Sequence, residues 1–231
     1  MKYKKVIRGE FVSRPNRFIA NVTVDGKTET VHVKNTGRCK ELLVPGATVF
    51  LSVSDNPSRK TKYDLISVIK HTNNGDLLIN MDSQIPNDVA YEWLKEGNVF
   101  SPDAVIKREF TYKKSRFDFY IEDGNTKAFL EVKGVTLEND GVAAFPDAPT
   151  ERGIKHINEL CEAKKEGYEA YILFVIQMKG IHLFKPDSVI HKEFADALVN
   201  ARKNGVNILA VDCIVEEDSL KIDKNITVSL Q

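Results

Sequence analysis

SRFDFYIEDGNTKAFLEVK, residues 115–133, is the stretch that says most about the fold. Apolar and polar residues alternate on both sides of Asp123-Gly124-Asn125, a pattern typical of two antiparallel strands joined by a tight turn. A two-residue loop and a four-residue loop give the same register, which places Asp118 directly opposite Glu131. Lys133 lies two residues beyond Glu131 and therefore on the same face of its strand. The residues predicted to face the core from the other side are Phe117, Phe119, Leu130 and Val132.

Two carboxylates and a lysine on one side of a hairpin suggest a divalent cation site. Directly opposed residues have Cβ atoms about 4.5–5.5 Å apart, and like charges there repel unless something offsets them. Carboxylate oxygens favour Mg²⁺ or Mn²⁺, which fill their remaining positions with water and phosphate oxygens. We therefore predict Asp118 and Glu131 as metal ligands. In a phosphodiester cleavage, Asp118, Glu131 and Lys133 would be catalytic, with Lys133 orienting water or offsetting charge on phosphorus.

A simpler interpretation stays open at this point. Glu131 and Lys133 are also compatible with neighbouring surface charges on a strand edge, because 29% of the residues are charged. Glu109 and Asp103 precede the hairpin and are candidates for completing the coordination, although each also fits a plain surface acid. No metal-ligand spacing connects His32, His71, His182 and His191, which we predict to be structural.

Outward from the hairpin, the chain alternates between strands and helices. The pattern predicts helices at about 87–96, 150–166 and 191–203, a strand pair at 105–122 and 127–135, and further strands at 171–177 and 206–215. Strands that alternate with helices predict right-handed crossovers in a mixed sheet.

The first eighty residues show a different pattern, without a helical period. The predicted strands are 18–24, 28–33, 47–53, 63–71 and 77–81, and turn signals at Asp25-Gly26 and Asn73-Asn74-Gly75 separate neighbouring strands. Five short strands suit a small barrel, either an OB-fold or an SH3-like barrel. We predict an α+β protein of two domains, with the barrel at 1–82 and an α/β unit at 83–231.

Composition points to a soluble protein of the cell interior. The apolar run from Tyr171 to Ile176 is far shorter than the roughly 20 residues of a membrane span, and no apolar stretch follows the basic N-terminus. Cys39, Cys161 and Cys213 lie far apart in the sequence, which is typical of reduced thiols. We predict a cytoplasmic protein without a membrane partner, and the sequence does not predict its oligomeric state.

Charge is distributed unevenly along the chain. Residues 1–80 contain 14 Lys and Arg against 7 Asp and Glu, whereas the remainder contains 19 against 26. A basic half of +7 beside an acidic half of −7 suggests that the first half attracts an anion, although halves of ordinary proteins also differ by several charges. Lys155 lies near the start of a predicted helix, where it can reach a phosphate or simply solvate the helix.

With these residues in view, the sequence resembles the sugar fermentation stimulation protein A (SfsA) family of bacteria and archaea. The resemblance covers nearly the whole chain. Its segments are RPNRFIANV (14–22), HVKNTGR (32–38), VPG (44–46), SRFDF (115–119), EVKGVTL (131–137) and FPDAPTERGIKH (145–156). Two positions depart from the family pattern, Cys39 in place of Met and Gly134 in place of Asn or Ser.

The resemblance implies an N-terminal OB-fold and a C-terminal α/β domain similar to PD-(D/E)xK nucleases. Asp118, Glu131 and Lys133 occupy the positions of that nuclease motif. The family is described as binding DNA without sequence specificity and as regulating sugar (maltose) metabolism. Nuclease-like folds can retain their carboxylates and serve only to bind, so the resemblance leaves open whether the site cleaves anything.

Three functions are compatible with these observations. In the first and favoured one, the barrel binds the DNA backbone through Arg14, Arg17 and Arg38, with Lys155 as a further contact. In the second, the protein is an active Mg²⁺- or Mn²⁺-dependent endonuclease. In the third, it regulates transcription through a protein partner that docks on the acidic half. No basic recognition helix is present, which disfavours sequence-specific reading of the major groove.

Overall fold

The N-terminal half of the protein is a β-barrel. The computed structural model describes residues 1–35, 37–73 and 75–230. Thr36 of the HVKNTGR segment and Asn74 of the second predicted turn lie outside the described residues. The barrel strands are β1 (Val6–Asn16), β2 (Ile19–Val24), β3 (Lys27–Val33), β4 (Thr48–Val53), β5 (Tyr63–Thr72) and β6 (Gly75–Asn80).

Strand pairing decides between the two barrels that the sequence left open. The strands are ordered β3-β2-β1-β4-β5-β6, and β3 also pairs in parallel with β5 through His32–Asp64 and Val33–Leu65. A meander of three strands closed by a parallel β3–β5 pair is the topology of an OB-fold. The sequence pattern missed β1, which carries charged residues and two register shifts, at Phe11–Ser13 and Ser13–Asn16, that disrupt its alternation.

The C-terminal half is an α/β unit with one large and one small sheet. Its helices are α1 (Ile85–Lys95), α2 (Glu151–Lys165) and α3 (Lys192–Lys203). Its strands are β7 (Val105–Tyr112), β8 (Ser115–Asp123), β9 (Thr126–Val135), β10 (Leu137–Asn139), β11 (Val142–Phe145), β12 (Glu169–Ile176), β13 (Leu183–Pro186), β14 (Asn207–Val215), β15 (Leu220–Asn225) and β16 (Thr227–Val228). The predicted single strand over 105–122 is wrong, because the chain turns at Lys113, whose φ is 49°, and forms two strands.

The large sheet has the predicted mixed character. Its order is β15-β14-β12-β9-β8-β7, and β9, β12 and β14 run parallel to one another. α2 connects β9 to β12, and α3 lies between β12 and β14 in the chain, as the alternating pattern predicts. The small sheet, β10-β11-β13-β16, was not predicted, because its strands have only two to four residues. No helix within the described ranges is long and apolar enough to cross a membrane.

Both faces of the large sheet are buried, each by different helices. α2 starts at the N-cap Thr150, whose Oγ1 accepts a hydrogen bond of 3.1 Å from Gly153 N. Its apolar face and that of α3 join one hydrophobic cluster, whereas α1 belongs to a second cluster on the other face. Each cluster also contains barrel residues. The barrel and the α/β unit therefore share their hydrophobic cores.

A buried polar network joins the two halves where β6 leads into α1. Asp82 is fully buried and accepts a hydrogen bond of 2.8 Å from Lys34 Nζ. Gln177, at the end of β12, donates to Asn80 Oδ1 and to the Asp82 carbonyl. The predicted domain division at residue 82 lies in this network. Residues 1–3, which precede the barrel, pair with the C-terminal half, since Tyr3 N donates to the Asp218 carbonyl.

Candidate metal site and basic cavity

The hairpin of β8 and β9 carries the predicted acidic pair, and its register is the predicted one. Five consecutive residue pairs, the last of them Phe119–Leu130, follow this register. The ladder then ends one pair before Asp118 and Glu131. Instead, Val132 N donates a hydrogen bond of 2.7 Å to Asp118 Oδ2. The predicted direct opposition of Asp118 and Glu131 is therefore wrong, because a side-chain carboxylate has taken a main-chain donor of β9.

The side chains of β8 change faces at Asp118. Phe117 packs against Phe129 with the ring centroids 5.2 Å apart, whereas Phe119 stacks on Tyr91 of α1. The two phenylalanines of β8 belong to different hydrophobic clusters, so the prediction that they share a face is also wrong. Asp118 thus sits at a break in the strand, and this break turns its carboxylate toward α1.

The neighbouring strand shows the same irregularity at Glu109. Its φ is 54°, and the β7–β8 ladder skips both Glu109 and Asp118. The Glu109 side chain is 61% exposed and forms an ion pair of 3.3 Å with Arg116. Asp103, the other candidate for completing the coordination, is exposed as well. Among the residues that the structure describes, no group of three or more His, Cys, Asp and Glu side chains is arranged to hold a metal ion.

Asp118 is a half-buried acid with a raised pKa. Asn87 Nδ2, on the first turn of α1, donates to Asp118 Oδ1 at 2.7 Å, while Val132 N binds the other oxygen. Burial and, next, the negative charge of Glu131 raise the pKa of Asp118 to about 6, against the opposing effects of both hydrogen bonds and of Lys133. The two carboxylates are therefore close enough for their charges to interact.

Glu131 is held in the opposite way, as a carboxylate anion. It is only 3% exposed, and burial alone would raise its pKa. A hydrogen bond from His156 and the positive charge of Lys133, whose Nζ lies 2.6 Å from Glu131 Oε1, hold the pKa of Glu131 below its usual range. Both donors bind Oε1. No donor among the described residues reaches the buried Oε2.

This donor set fits a hard divalent cation. A buried carboxylate oxygen without a partner is costly, and a cation is one way to satisfy it. Mg²⁺ is commonly held by one or two carboxylates and otherwise by water and phosphate, so two acids suffice. Glu131 Oε2 and the Asp118 carboxylate are the groups that would hold the ion. Lys133 and Glu131 thus form an ion pair, and Asp118 lies near enough to Glu131 for their charges to interact.

Two residues of this site, His156 and Asn87, were not predicted from the sequence. His156 was passed over within the helix-opening segment, although the spacing of Gly153, His156, Ile157 and Leu160 places it on the buried face of α2. That spacing could have identified His156. No sequence pattern identifies Asn87, because only the fold brings the first turn of α1 beside β8.

The predicted DNA-binding arginines surround a cavity of about 260 Å³ on the barrel. It is lined by Arg14, Asn16, Arg17, Gly37, Arg38, Lys40 and Leu43. Arg14 has a structural task there, because its guanidinium donates to the carbonyls of Arg17, Asn35, Gly37 and Arg38 at 2.6–2.9 Å. It ties the β1–β2 turn to the segment after β3. Arg17, Arg38 and Lys40 are exposed, and unlike Arg14 their side chains form no hydrogen bond or ion pair with the described residues.

A second cavity lies beside the basic cavity, whereas Lys155 lines neither of them. A second cavity of about 180 Å³ shares Gly37 with the basic cavity and reaches Gly134 of β9, next to Lys133. The basic cavity and the end of the strand that carries Glu131 are therefore neighbours. Lys155, on α2, donates to the Lys114 carbonyl at 2.9 Å and lines neither cavity.

The raised pKa of Asp118 predicts a pH-dependent gain in stability on substitution. The folded protein holds the Asp118 proton up to about pH 6, whereas the unfolded chain releases it near pH 3.8. Ionisation therefore costs folding free energy at neutral pH and costs none below pH 3.8. We expect Asp118→Asn to raise the free energy of unfolding by about 1–2 kcal/mol at pH 7.5 and by nothing near pH 3.8.

Urea denaturation with EDTA at the two pH values measures this difference. Asp223→Asn is the matched control. The hydrogen bond from Lys179 lowers the pKa of Asp223, so the Asp223 carboxylate stabilises the fold at pH 7.5 and its replacement should lower the free energy of unfolding. Equal stabilisation by Asp118→Asn at both pH values would contradict the explanation.

Fold and site together define a two-domain α+β protein, an OB barrel joined to a mixed-sheet domain that carries a buried and a half-buried acid on one hairpin. Residues 12–79 match the family model described as SfsA N-terminal OB domain, and residues 84–219 match the one described as Sugar fermentation stimulation protein RE domain. The chain belongs to the sugar fermentation stimulation protein (SfsA) family. This confirms the resemblance seen in the sequence and the predicted two-domain fold.

Relatives named sugar fermentation stimulation protein homolog match along the full chain. Those of Clostridium beijerinckii and Ruminiclostridium cellulolyticum are 57% and 58% identical over 230 residues, covering 100% of both chains in each comparison. The homolog of Desulfitobacterium hafniense is 59% identical and covers 100% of this chain and 99% of its own. The SfsA structure of Pyrococcus furiosus, solved in complex with Ca²⁺, superposes with a TM-score of 0.86 at 26% identity, covering 99% of this chain and 98% of that one.

Proposed function

We propose that this protein binds DNA without sequence specificity and that its role in sugar metabolism is exercised on DNA. The observation that carries the proposal is the cationic cavity of the barrel, lined by Arg17, Arg38 and Lys40, beside the strand that bears the acidic pair. Cations without acidic partners attract phosphates of any sequence. The family name connects the protein with sugar fermentation, and its route through DNA is our proposal.

The position of the cavity in the barrel supports a nucleic acid as ligand. Arg17 and Phe18 form the connection between β1 and β2, one of the two loops with which OB-folds bind oligonucleotides. Phe18 is 46% exposed, and the Arg17 guanidinium lies 4.8 Å from the centroid of its ring. An exposed ring beside a cation offers a base a surface to stack on, independently of sequence.

We further propose that the acidic pair holds a divalent cation, Mg²⁺ or Mn²⁺ in the cell. The Ca²⁺ of the Pyrococcus furiosus relative supports binding of a divalent ion, and the free Glu131 Oε2 supports this position. When bound, such an ion supplies Lewis acidity and a point of attachment for a phosphate oxygen. Asp118 and Glu131 hold it, and Lys133 keeps the Glu131 carboxylate in place while its positive charge offsets negative charge nearby.

Binding to DNA should depend strongly on salt. We expect the affinity for a labelled duplex or single strand, measured by fluorescence anisotropy, to fall steeply between about 50 and 200 mM salt. Arg17→Ala and Arg38→Ala should each weaken binding to all sequences equally and reduce the slope of log K against log salt by about one. Arg8, exposed on β1 but away from the cavity, is the matched control.

Two variants distinguish an arginine that contacts DNA from an arginine that stabilises the barrel. Arg14→Ala should reduce both DNA affinity and the free energy of unfolding, because its four carbonyl partners lose their donor. Arg17→Ala should leave the stability unchanged. A flat salt dependence of wild-type binding, or equal losses from Arg8→Ala and Arg17→Ala, would refute the proposal.

A second candidate function is cleavage of DNA phosphodiesters by the same site. It is favoured by the Lys133 ammonium, 2.6 Å from the buried Glu131 carboxylate, whose other oxygen has no donor among the described residues. A metal ligand and a nearby cation can both stabilise the charge that develops on a phosphate during cleavage. Incubation of supercoiled plasmid and branched DNA with Mn²⁺ should then yield products with wild type and none with Asp118→Ala. Equal products from both proteins, or none from either, would leave DNA binding alone.

A further inference from the structure

His156 is a buried imidazole that lies against the acidic pair from the opposite side to α1. It belongs to the second turn of α2 and is 3% exposed. Its Nδ1 is hydrogen-bonded to Glu131 Oε1, and its ring meets Phe117 edge-on, with centroids 6.0 Å apart. His156 therefore touches the side chain of a proposed ligand and the aromatic core beneath it.

The direction of these hydrogen bonds can be worked out. Arg152, one helical turn earlier, donates from Nε to His156 Nε2 at 3.5 Å. An acceptor nitrogen carries no proton, so the proton of the imidazole resides on Nδ1 and is donated to Glu131. Arg152, His156 and Glu131 thus form a chain in which each donor points toward the carboxylate.

This chain determines which Glu131 oxygen remains available. Lys133 Nζ and His156 Nδ1 both bind Oε1, from two different elements, and together they fix the rotation of the carboxylate. Oε2 is left buried and without a donor among the described residues. Lys133 alone lies on a flexible stem and would allow the carboxylate to rotate.

We propose that His156 is the positioning residue of the metal site: its Nδ1–H holds Glu131 Oε1 so that Oε2 is presented to the cation. This inference rests on the proposed metal site and adds a residue that does not itself touch the ion. Hydrogen-bond partners of metal ligands commonly control metal affinity by about 10- to 100-fold. Arg152 in turn selects the tautomer that can donate.

Titration of the full chain with Ca²⁺ alone, followed by calorimetry without DNA, tests the proposal. His156→Phe preserves much of the volume beside Phe117 but removes the donor, and should weaken Ca²⁺ binding about 10- to 100-fold. His156→Asn places an amide N–H near the position of Nδ1, and should restore affinity to within about tenfold of wild type. Glu131→Gln is measured in parallel as a loss of the ligand itself.

A second readout needs no metal. In ¹⁵N-histidine-labelled apo protein, the imidazole resonances of His156, assigned by their absence from His156→Phe, should show a protonated Nδ1 and a bare Nε2. The opposite tautomer would overturn the proposal. The positioning role of His156 would be overturned, without affecting the proposed metal site, by either of two results. One is wild-type Ca²⁺ affinity in His156→Phe, and the other is a loss of affinity in His156→Asn as large as in His156→Phe. Unchanged Ca²⁺ binding by Glu131→Gln would overturn the proposed metal site and this inference together.

Discussion

Glu131→Gln is expected to reduce the affinity for Ca²⁺ or Mn²⁺ by about 100-fold or more, about 2.7 kcal/mol at 25 °C. Loss of a ligand should cost at least as much as loss of its hydrogen-bond partner, which commonly costs about 10- to 100-fold. Glutamine preserves the length and shape of the side chain but not its negative charge. Its amide must also place an N–H₂ group at one of the two oxygen positions, although Oε1 already receives two donors. Calorimetry of the metal-free protein measures the loss directly.

The matched control for this substitution is Glu122→Gln. Glu122 lies on the same hairpin, opposite Lys127 and far along β8 from the acidic pair, and its side chain is 37% exposed. The change in net charge is the same, so a long-range electrostatic effect would appear in both variants. A loss confined to Glu131→Gln assigns the ion to the pair. Similar weakening in both variants would mean that the ion binds to the general negative field of the domain.

The two acids of the pair differ in how the fold treats their charge. Glu131 is stabilised as an anion by His156 and Lys133, whereas burial and Glu131 itself make Asp118 a weaker acid. Environments that shift the pKa values of two neighbouring acids in opposite directions are typical of functional sites, where each acid has a different role. A bound cation would favour the ionised form of both. Without an ion, the negative charge of Glu131 therefore opposes ionisation of Asp118, and a divalent cation would relieve this repulsion.

Short-range periodicity accounts for the features that the sequence predicted correctly. Alternation around Asp123-Gly124-Asn125 determined the hairpin register, because a shift of one residue would turn every apolar side chain of the strands to the wrong face. The three long helices and the parallel strands between them were predicted from the same kind of pattern. The OB topology required more, since only the pairing of β3 with β5 distinguishes it from another small barrel.

The details of the site depend on contacts that local patterns do not encode. The break at Asp118 arises together with a left-handed residue on the neighbouring strand, Glu109, which no alternation rule predicts. Arg14 was predicted as a DNA contact because its charge is visible in the sequence, and that role stays a prediction. Its hydrogen bonds to carbonyls 21 to 24 residues further along the chain could not be predicted, because only the folded barrel brings these groups together.

The junction between the barrel and the α/β unit should be the most sensitive point for stability. Lys34→Met is expected to lower the free energy of unfolding by about 3–5 kcal/mol, because it leaves the fully buried Asp82 carboxylate without its cation. Tyr3 Oη, at 3.4 Å, and Gln84 N, at 3.0 Å, remain as donors, but neither carries a charge. Urea denaturation followed by the fluorescence of Trp93, in α1, measures the loss.

The double variant Lys34→Met/Asp82→Asn separates an unpaired charge from lost packing. A neutral amide at position 82 needs no cation, so most of the stability should return, as it does when both partners of a buried pair are replaced. Lys4→Met provides the surface comparison: Lys4 and Asp55 form a pair of 3.3 Å with both side chains largely exposed, which should cost less than about 1 kcal/mol. If the double variant were as unstable as Lys34→Met, the lysine stem would matter more than its charge. Ser83, the next residue, lines the cavity that shares Gly37 with the basic cavity and reaches Gly134 of β9, so we expect loss of the ion pair to disturb the packing between the barrel and β9 as well.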